Sequence, residues 1–285
     1  MDKSIGALSM TTSIAVVDSS AILWYNRSRI RCIEVHMIHA KTKCGRRILW
    51  GFITLLVVVV LLCGVCVGFL LDCYKADREA IEAFSAADGI VPQSVGNTVV
   101  LAPQDATVGF IFYPGAKVEH EAYLPLMEAC AAEGILCVLV EMPMYFPLMN
   151  AAAADGIPEM YPQIERWYIG GHSLGGYAAS DYVSRHEDDY AGLILLASYS
   201  GVDLTGSNLP VLSIYGSEDQ IMNRGRYEEG KTKLPAGYTE IIIEDGCHAY
   251  FGMYDGQDGS ESLSVTNEEQ IYRTASAIAD FMDEK

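Results

Sequence analysis

The reactive residue types in this chain are a serine inside a glycine elbow, an acid and a histidine, met in that order. The stretch WYIGGHSLGG, Trp167 to Gly176, sets Gly171, His172, Ser173, Leu174 and Gly175 in a GxSxG pattern. An apolar run precedes it and a small-residue stretch follows, so Ser173 is expected on a sharp strand-to-helix turn that lifts its hydroxyl above a sheet edge. Gly171 and Gly175 leave room for that strand and helix to approach closely. Downstream, the run PVLSIYG is followed by Ser217, Glu218 and Asp219, and the run TEIIIEDG by Cys247 and His248. Ser173, Asp219 and His248 each fall just past the C-terminal end of a predicted strand, where open α/β sheets bind ligands. A serine hydroxyl is a weak nucleophile at neutral pH. His248 would take its proton, while Asp219 fixes the imidazole tautomer and stabilises the imidazolium that forms.

Such chemistry also needs backbone N–H groups aimed at a developing oxyanion. One is expected from Leu174, directly after the nucleophile, and one from Ala116 in the turn FYPGAK, where Gly115 lets the chain turn close to the substrate. Asp203 is the alternative acid, ranked behind Asp219. His172 reads as a structural residue of the elbow, and Cys247 lacks an elbow of its own. Glu119 and Glu121 open the helix after the oxyanion turn, where carboxylates favour the helix dipole.

These residues must be held by elements, and the chain supplies them in alternation. Strands are predicted over Thr98 to Ala102, Val108 to Tyr113, Leu136 to Glu141, Trp167 to Gly170, Gly192 to Ala197, Val211 to Tyr215 and Glu240 to Glu244. Helices are predicted over Glu121 to Ala132, Gly175 to Arg185 and Glu268 to Met282, with Lys75 to Ala87 as a helical stalk. Short apolar runs alternating with helical patterns imply an α/β fold, a mostly parallel sheet with helices on both faces. Only about ten residues, GVDLTGSNLP, separate two of the strands, too few for a helical cap. The connection from Met142 to Arg166 is the place where structure would overhang Ser173, with Met144, Phe146 and Tyr123 as the expected substrate-pocket residues.

The pieces FYPGAKVEHEAYLPL, ERWYIGGHSLGGYAA, LSIYGSEDQI and GCHAYFGMYDGQDG followed by EEQ resemble the α/β-hydrolase superfamily, and above all its short bacterial single-domain group known as α/β-hydrolase family 5. The resemblance runs from about Val99 to Asp283. It implies a serine nucleophile at Ser173, an acid at Asp219, a histidine at His248 and hydrolysis of a carboxylic ester. The oxyanion turn departs from the HG or HGGG of many lipases and esterases, reading Pro114-Gly115 here.

The rest of the chain bears on location. It has 285 residues and a formal net charge of -18. Residues 1–71 carry +5 and the remainder -23, a basic leader before an acidic body. A surface so acidic repels nucleic acid. Between the two parts lie 24 uncharged residues, Ile48 to Leu71, more than the roughly 20 a helix needs to cross the hydrocarbon core. No small-residue cleavage site follows, as a signal peptide would require, and none of Cys63, Cys66 and Cys73 sits in a lipobox. Lys41, Lys43, Arg46 and Arg47 before the span place the N-terminus in the cytoplasm and the acidic body outside. The domains expected are therefore a basic cytoplasmic segment over 1–47, a transmembrane helix over 48–71, a stalk and linker over 72–97 and the hydrolase domain over 98–285. Met37 opens a compact basic region ahead of the span and is a candidate start of translation. Gly64 and Gly68 have GxxxG spacing, which would let two such helices dimerise, although Gly is common in membrane helices. No HExxH, paired CxxC, GxGxxG or Walker pattern occurs, and the acidic loop around Asp255 and Asp258 lacks EF-hand spacing, so no metal or cofactor is expected. An acyltransferase using the same three residues, or a noncatalytic binding domain on the same fold, are the alternatives.

Overall fold

The computed structural model describes residues 45–69, 72–84, 89–254, 256 and 264–284. The candidate start at Met37, and Asp255 and Asp258 of the acidic loop, lie outside them. The chain divides into two compact units, residues 1–65 and 66–285.

Among the described residues one helix, α1 (Gly45–Phe69), is long and apolar enough to cross a membrane. It starts three residues before the uncharged run. Its hydroxyl at Thr54 donates back to the Trp50 carbonyl at 2.9 Å, so the helix satisfies that polar group internally, as a segment in lipid must.

The second unit is built on a sheet of β1 (Gln93–Val95), β2 (Thr98–Leu101), β3 (Val108–Tyr113), β4 (Leu136–Val140), β5 (Arg166–His172), β6 (Gly192–Leu196), β7 (Val211–Gly216) and β8 (Thr239–Ile243). Their spatial order is β1-β2-β4-β3-β5-β6-β7-β8. The first two strands pair antiparallel and the rest parallel. The helices are α2 (Arg78–Ala83), α3 (Leu124–Ala132), α4 (Ile157–Met160), α5 (Leu174–Val183), α6 (Arg224–Lys231) and α7 (Asn267–Asp283).

Both faces of the central strands are covered, which is why they read as unbroken apolar runs. Side chains alternate between the two faces. Phe110, Phe112, Ile194 and Leu196 join one buried cluster with residues of α3 and α7. Ile111, Tyr113, Leu193 and Leu195 join another, with Ala178, Ala179 and Tyr182 of α5 and Ile157 of α4.

Of the helical stalk expected over Lys75 to Ala87, residues 85–87 lie outside the described residues, and the described part is helical only in its middle. Only α2 is helical there, with Asp77 capping it by accepting from the Ala80 N–H. Tyr74 and Ala76 instead form isolated bridges to Val118 and Tyr254. Glu119 draws this segment in: it accepts from Lys75 Nζ at 2.9 Å and from the Ala76 N–H at 3.0 Å. It therefore serves a tertiary contact, not the helix dipole. Burial works against its charge, but these partners hold its carboxyl below the usual range.

Candidate active site

Ser173 is the single residue between β5 and α5, and its backbone sits at φ 53°, ψ -122°. A non-glycine residue at positive φ stores about 1–3 kcal/mol of strain and persists only where its surroundings impose it. Here its N–H donates to the Leu196 carbonyl at 2.9 Å, while its own carbonyl accepts from Ser198 Oγ at 2.6 Å. A Cβ at Gly171 or Gly175 would run into the backbone carbonyl of Tyr113, which fixes both positions as glycine.

Asp219 and His248 come from the ends of β7 and β8. Asp219 lies three residues past β7, with its side chain fully buried. Its Oδ2 meets His248 Nδ1 at 2.7 Å. Its Oδ1 accepts the N–H groups of Ile221 at 2.9 Å and Met222 at 2.8 Å. Burial pushes this carboxyl upward, yet the bond to His248, the charge of the imidazole and the two N–H donors together hold it below its ordinary value. His248 follows β8, on a turn gripped from α7: Gln270 Oε1 accepts from the Cys247 N–H at 3.0 Å, and its Nε2 donates to the Cys247 carbonyl at 2.9 Å. Nothing in sequence spacing points to Gln270, because its partner lies 23 residues away and the contact exists only in the folded chain.

Ser173 and His248 line one small cavity of about 180 Å³ with Leu174, Tyr177, Ala197, Ser198, Tyr199, Ile221, Met222 and Asn223. Two larger clefts, of about 520 and 500 Å³, have no serine paired with a histidine on their walls.

Leu174 lies on the wall of the small cavity. In the turn after β3 the neighbours of Ala116 are tied down on either side: the Gly115 N–H donates to Tyr123 Oη at 3.1 Å and the Lys117 N–H to the Tyr145 carbonyl at 2.7 Å. Among the described residues, neither the Ala116 nor the Leu174 N–H has an acceptor.

Other expected residues lie elsewhere. Tyr123 is fully buried beneath the oxyanion turn and does not line the cavity. Met144 and Phe146 fall in and beside the turn Pro143–Tyr145, also off the cavity wall. Elsewhere in the connection from Met142 to Arg166, Met142 is drawn into the core with Ile157 and Ile164, while Leu148, Met149 and Met160 are exposed. The tyrosines that do line the cavity, Tyr177 and Tyr199, lie on α5 and after β6, where no motif marks them. Asp203 is exposed and spends Oδ1 on the N–H and hydroxyl of Thr205, which hold its carboxyl low. Cys73, Cys130, Cys137 and Cys247 are free thiols. No group of three or more potential metal ligands occurs among the described residues.

Among solved structures, the chain is similar to a membrane phospholipase A described as a bacterial virulence factor, at 14% identity and a TM-score of 0.52, covering 84% of this chain and 98% of that one. It is similar to Est1E from Butyrivibrio proteoclasticus with ferulic acid bound, at 14% identity and a TM-score of 0.51 over 70% of this chain and 97% of that one. TT1662 from Thermus thermophilus is likewise similar, at 13% identity and a TM-score of 0.50 over 68% and 97%. At these identities the likeness is one of fold. No curated protein matches the sequence. The alpha/beta hydrolase family profile, however, matches residues 109–272, more than half of the chain and the span that holds Ser173, Asp219 and His248. This chain is a member of the alpha/beta hydrolase family.

Proposed function

We propose that this hydrolase cleaves small to medium carboxylic esters through an acyl-enzyme on Ser173, and that α1 anchors it in a membrane with the hydrolase domain on the extracytoplasmic side. The observation that carries the reading is the bond of 2.7 Å between His248 Nδ1 and Asp219, beside a strained Ser173 on the wall of the same cavity. An acceptor at Nδ1 keeps that nitrogen protonated, so Nε2 is the basic one. His248 takes the Ser173 proton as Oγ attacks the ester carbonyl. The oxyanion is met by the N–H groups of Leu174 and Ala116, which are free to bind it. His248 then returns the proton to the departing alcohol. Water, deprotonated by the same imidazole, attacks the acyl-enzyme and releases the acid.

A cavity of about 180 Å³ supports a short acyl group. Sites for drug-sized ligands run roughly 300–1,000 Å³. The orientation rests on Lys41, Lys43, Arg46 and Arg47 ahead of the span.

Fluorophosphonate labelling and hydrolysis of short p-nitrophenyl esters test the chemistry. Both are expected to vanish in Ser173→Ala, with turnover falling by about 10⁶ as in triad enzymes generally. Labelling and turnover unchanged in that variant would overturn the assignment. Protease added to sealed cells is expected to digest the hydrolase domain, and protection of that domain would reverse the orientation.

A further inference from the structure

A buried pair that the hydrolytic steps leave unused joins all three parts of the site. Tyr123 enters from the short turn before α3, and His172 is the last residue of β5; both are buried. Tyr123 Oη accepts the Gly115 N–H at 3.1 Å and lies 2.8 Å from His172 Nδ1. The His172 ring packs against the His248 ring with centroids 4.5 Å apart. The same side chains therefore touch the oxyanion turn, the residue bonded to the nucleophile and the general base.

Gly115 shows how tight this junction is. A Cβ there would stand 2.8 Å from Tyr123 Oη and 2.9 Å from His172 Nδ1, so the turn lies directly on the pair. With the Gly115 and Lys117 N–H groups both engaged, the N–H of Ala116 between them is the one left to face an oxyanion. Its direction follows from how firmly its neighbours are held.

His172 contributes its protonation state as well. Burial first, and the neighbouring His248 second, keep it neutral. In the neutral tautomer protonated at Nε2, Nδ1 accepts from the Tyr123 hydroxyl, whose oxygen already takes the Gly115 proton. It also presents no like charge to His248 when that imidazole becomes charged during the reaction.

We propose that Tyr123 and His172 are positioning residues for ester hydrolysis, a hydrogen-bonded relay that sets the direction of the Ala116 N–H and holds the oxyanion turn in register with Ser173. The relay rests on the serine-hydrolase reading.

Tyr123→Phe removes one oxygen and keeps the ring. On a short p-nitrophenyl ester it is expected to lower kcat about 10- to 100-fold with KM within about twofold, a part of the 10²–10³ that follows loss of an oxyanion donor. His172→Phe, which removes the acceptor, should lose as much. The double variant should be no slower than either single one, because both break the same relay. His172→Asn, whose amide oxygen can take the place of Nδ1, should recover most of the turnover.

Wild-type kcat in Tyr123→Phe would overturn the proposal. So would losses that multiply in the double variant, or a His172→Asn variant as slow as His172→Phe while melting like the wild type. Should Tyr123→Phe fail to fold, the comparison of His172→Asn with His172→Phe decides alone. If Ser173→Ala keeps wild-type turnover, the hydrolase reading falls; if Ser173→Ala is dead and Tyr123→Phe is unaffected, only the relay does.

Discussion

Replacing Asp219 by Asn keeps the volume and removes the charge, and the geometry fixes the consequence. One carboxylate oxygen takes two N–H bonds, of 2.9 and 2.8 Å, and the other faces His248 Nδ1 at 2.7 Å. An amide has one acceptor and one donor end. If its oxygen stays with Ile221 and Met222, its NH₂ faces Nδ1, which must then accept; the proton moves to Nε2, and His248 can no longer take a proton from Ser173. If the amide flips, NH₂ confronts two buried N–H donors, and bonds to a charged acceptor worth about 1.5–3 kcal/mol each are lost. The first arrangement keeps more bonds, so the wrong tautomer prevails. We expect kcat/KM to fall about 10⁴-fold, roughly 5 kcal/mol of transition-state stabilisation at 1.36 per tenfold. Stability has a matching signature. The Asp219 carboxyl is held below 3.8, so its contribution is whole above that pH and is lost as pH falls through the folded-state value. The wild type should outlast Asp219→Asn in thermal melts at neutral pH, with the gap closing below pH about 3.8. Initial rates on a soluble ester decide the matter, with Asp203→Asn as the control expected within twofold of wild type. Activity of Asp219→Asn within tenfold of wild type would refute the tautomer reasoning.

Gln270→Leu strips two buried backbone groups of Cys247 of their partners, at about 1–3 kcal/mol each, and frees the turn that carries His248. It should lower both the melting temperature and kcat on a short ester; unchanged kcat in a folded variant would make the Gln270 clamp structural only. Tyr199→Ala opens the cavity wall, and acyl preference measured over a C2 to C10 ester series should move to longer chains. Because residues 201–210 carry no helix that could act as a lid, the rate on such esters should show no jump as a substrate passes its solubility limit, and a sharp rise there would point to a lid elsewhere.

The central strands were legible because burial on both faces leaves no polar alternation to obscure them: β3, β4, β6 and β7 are apolar almost throughout. The elements that escaped are those whose stability is not local. β1 has three residues, two of them exposed, and exists by pairing with β2. α6, with the sequence RGRYEEGK, buries only Tyr227 and Gly230, so no apolar period announces it. It forms because Asn223 caps it by accepting from the Arg226 N–H and because Tyr227 packs edge-on against Tyr215. At residues 75–77 the expected helix gives way for the converse reason. Its helical propensity is real, but Tyr74 and Ala76 gain more by bridging to the hydrolase domain than by continuing a helix into solvent.

At the site, the same division separates what spacing reveals from what only packing decides. An elbow is a local object, since Gly171, Ser173 and Gly175 lie within five residues and the strand and helix around them impose the turn. The meeting of Asp219 and His248 is legible because strand ends deliver them to one edge. A cavity wall is a different matter. Sequence directs attention to the connection from Met142 to Arg166, which is rich in Met, yet Met142, Ile157 and Ile164 serve the core and Leu148, Met149 and Met160 face outward. The space beside Ser173 is bounded instead by the first turn of α5, the residues after β6 and the turn after Asp219. Those segments are brought to Ser173 by the order β5-β6-β7 in the sheet. In the proposed reaction the acyl chain would therefore extend toward the turn after Asp219, with only its carbonyl oxygen facing the Ala116 turn. Changes at Tyr199 or Ile221 should alter which ester is cleaved, and changes at Met144 or Phe146 should not.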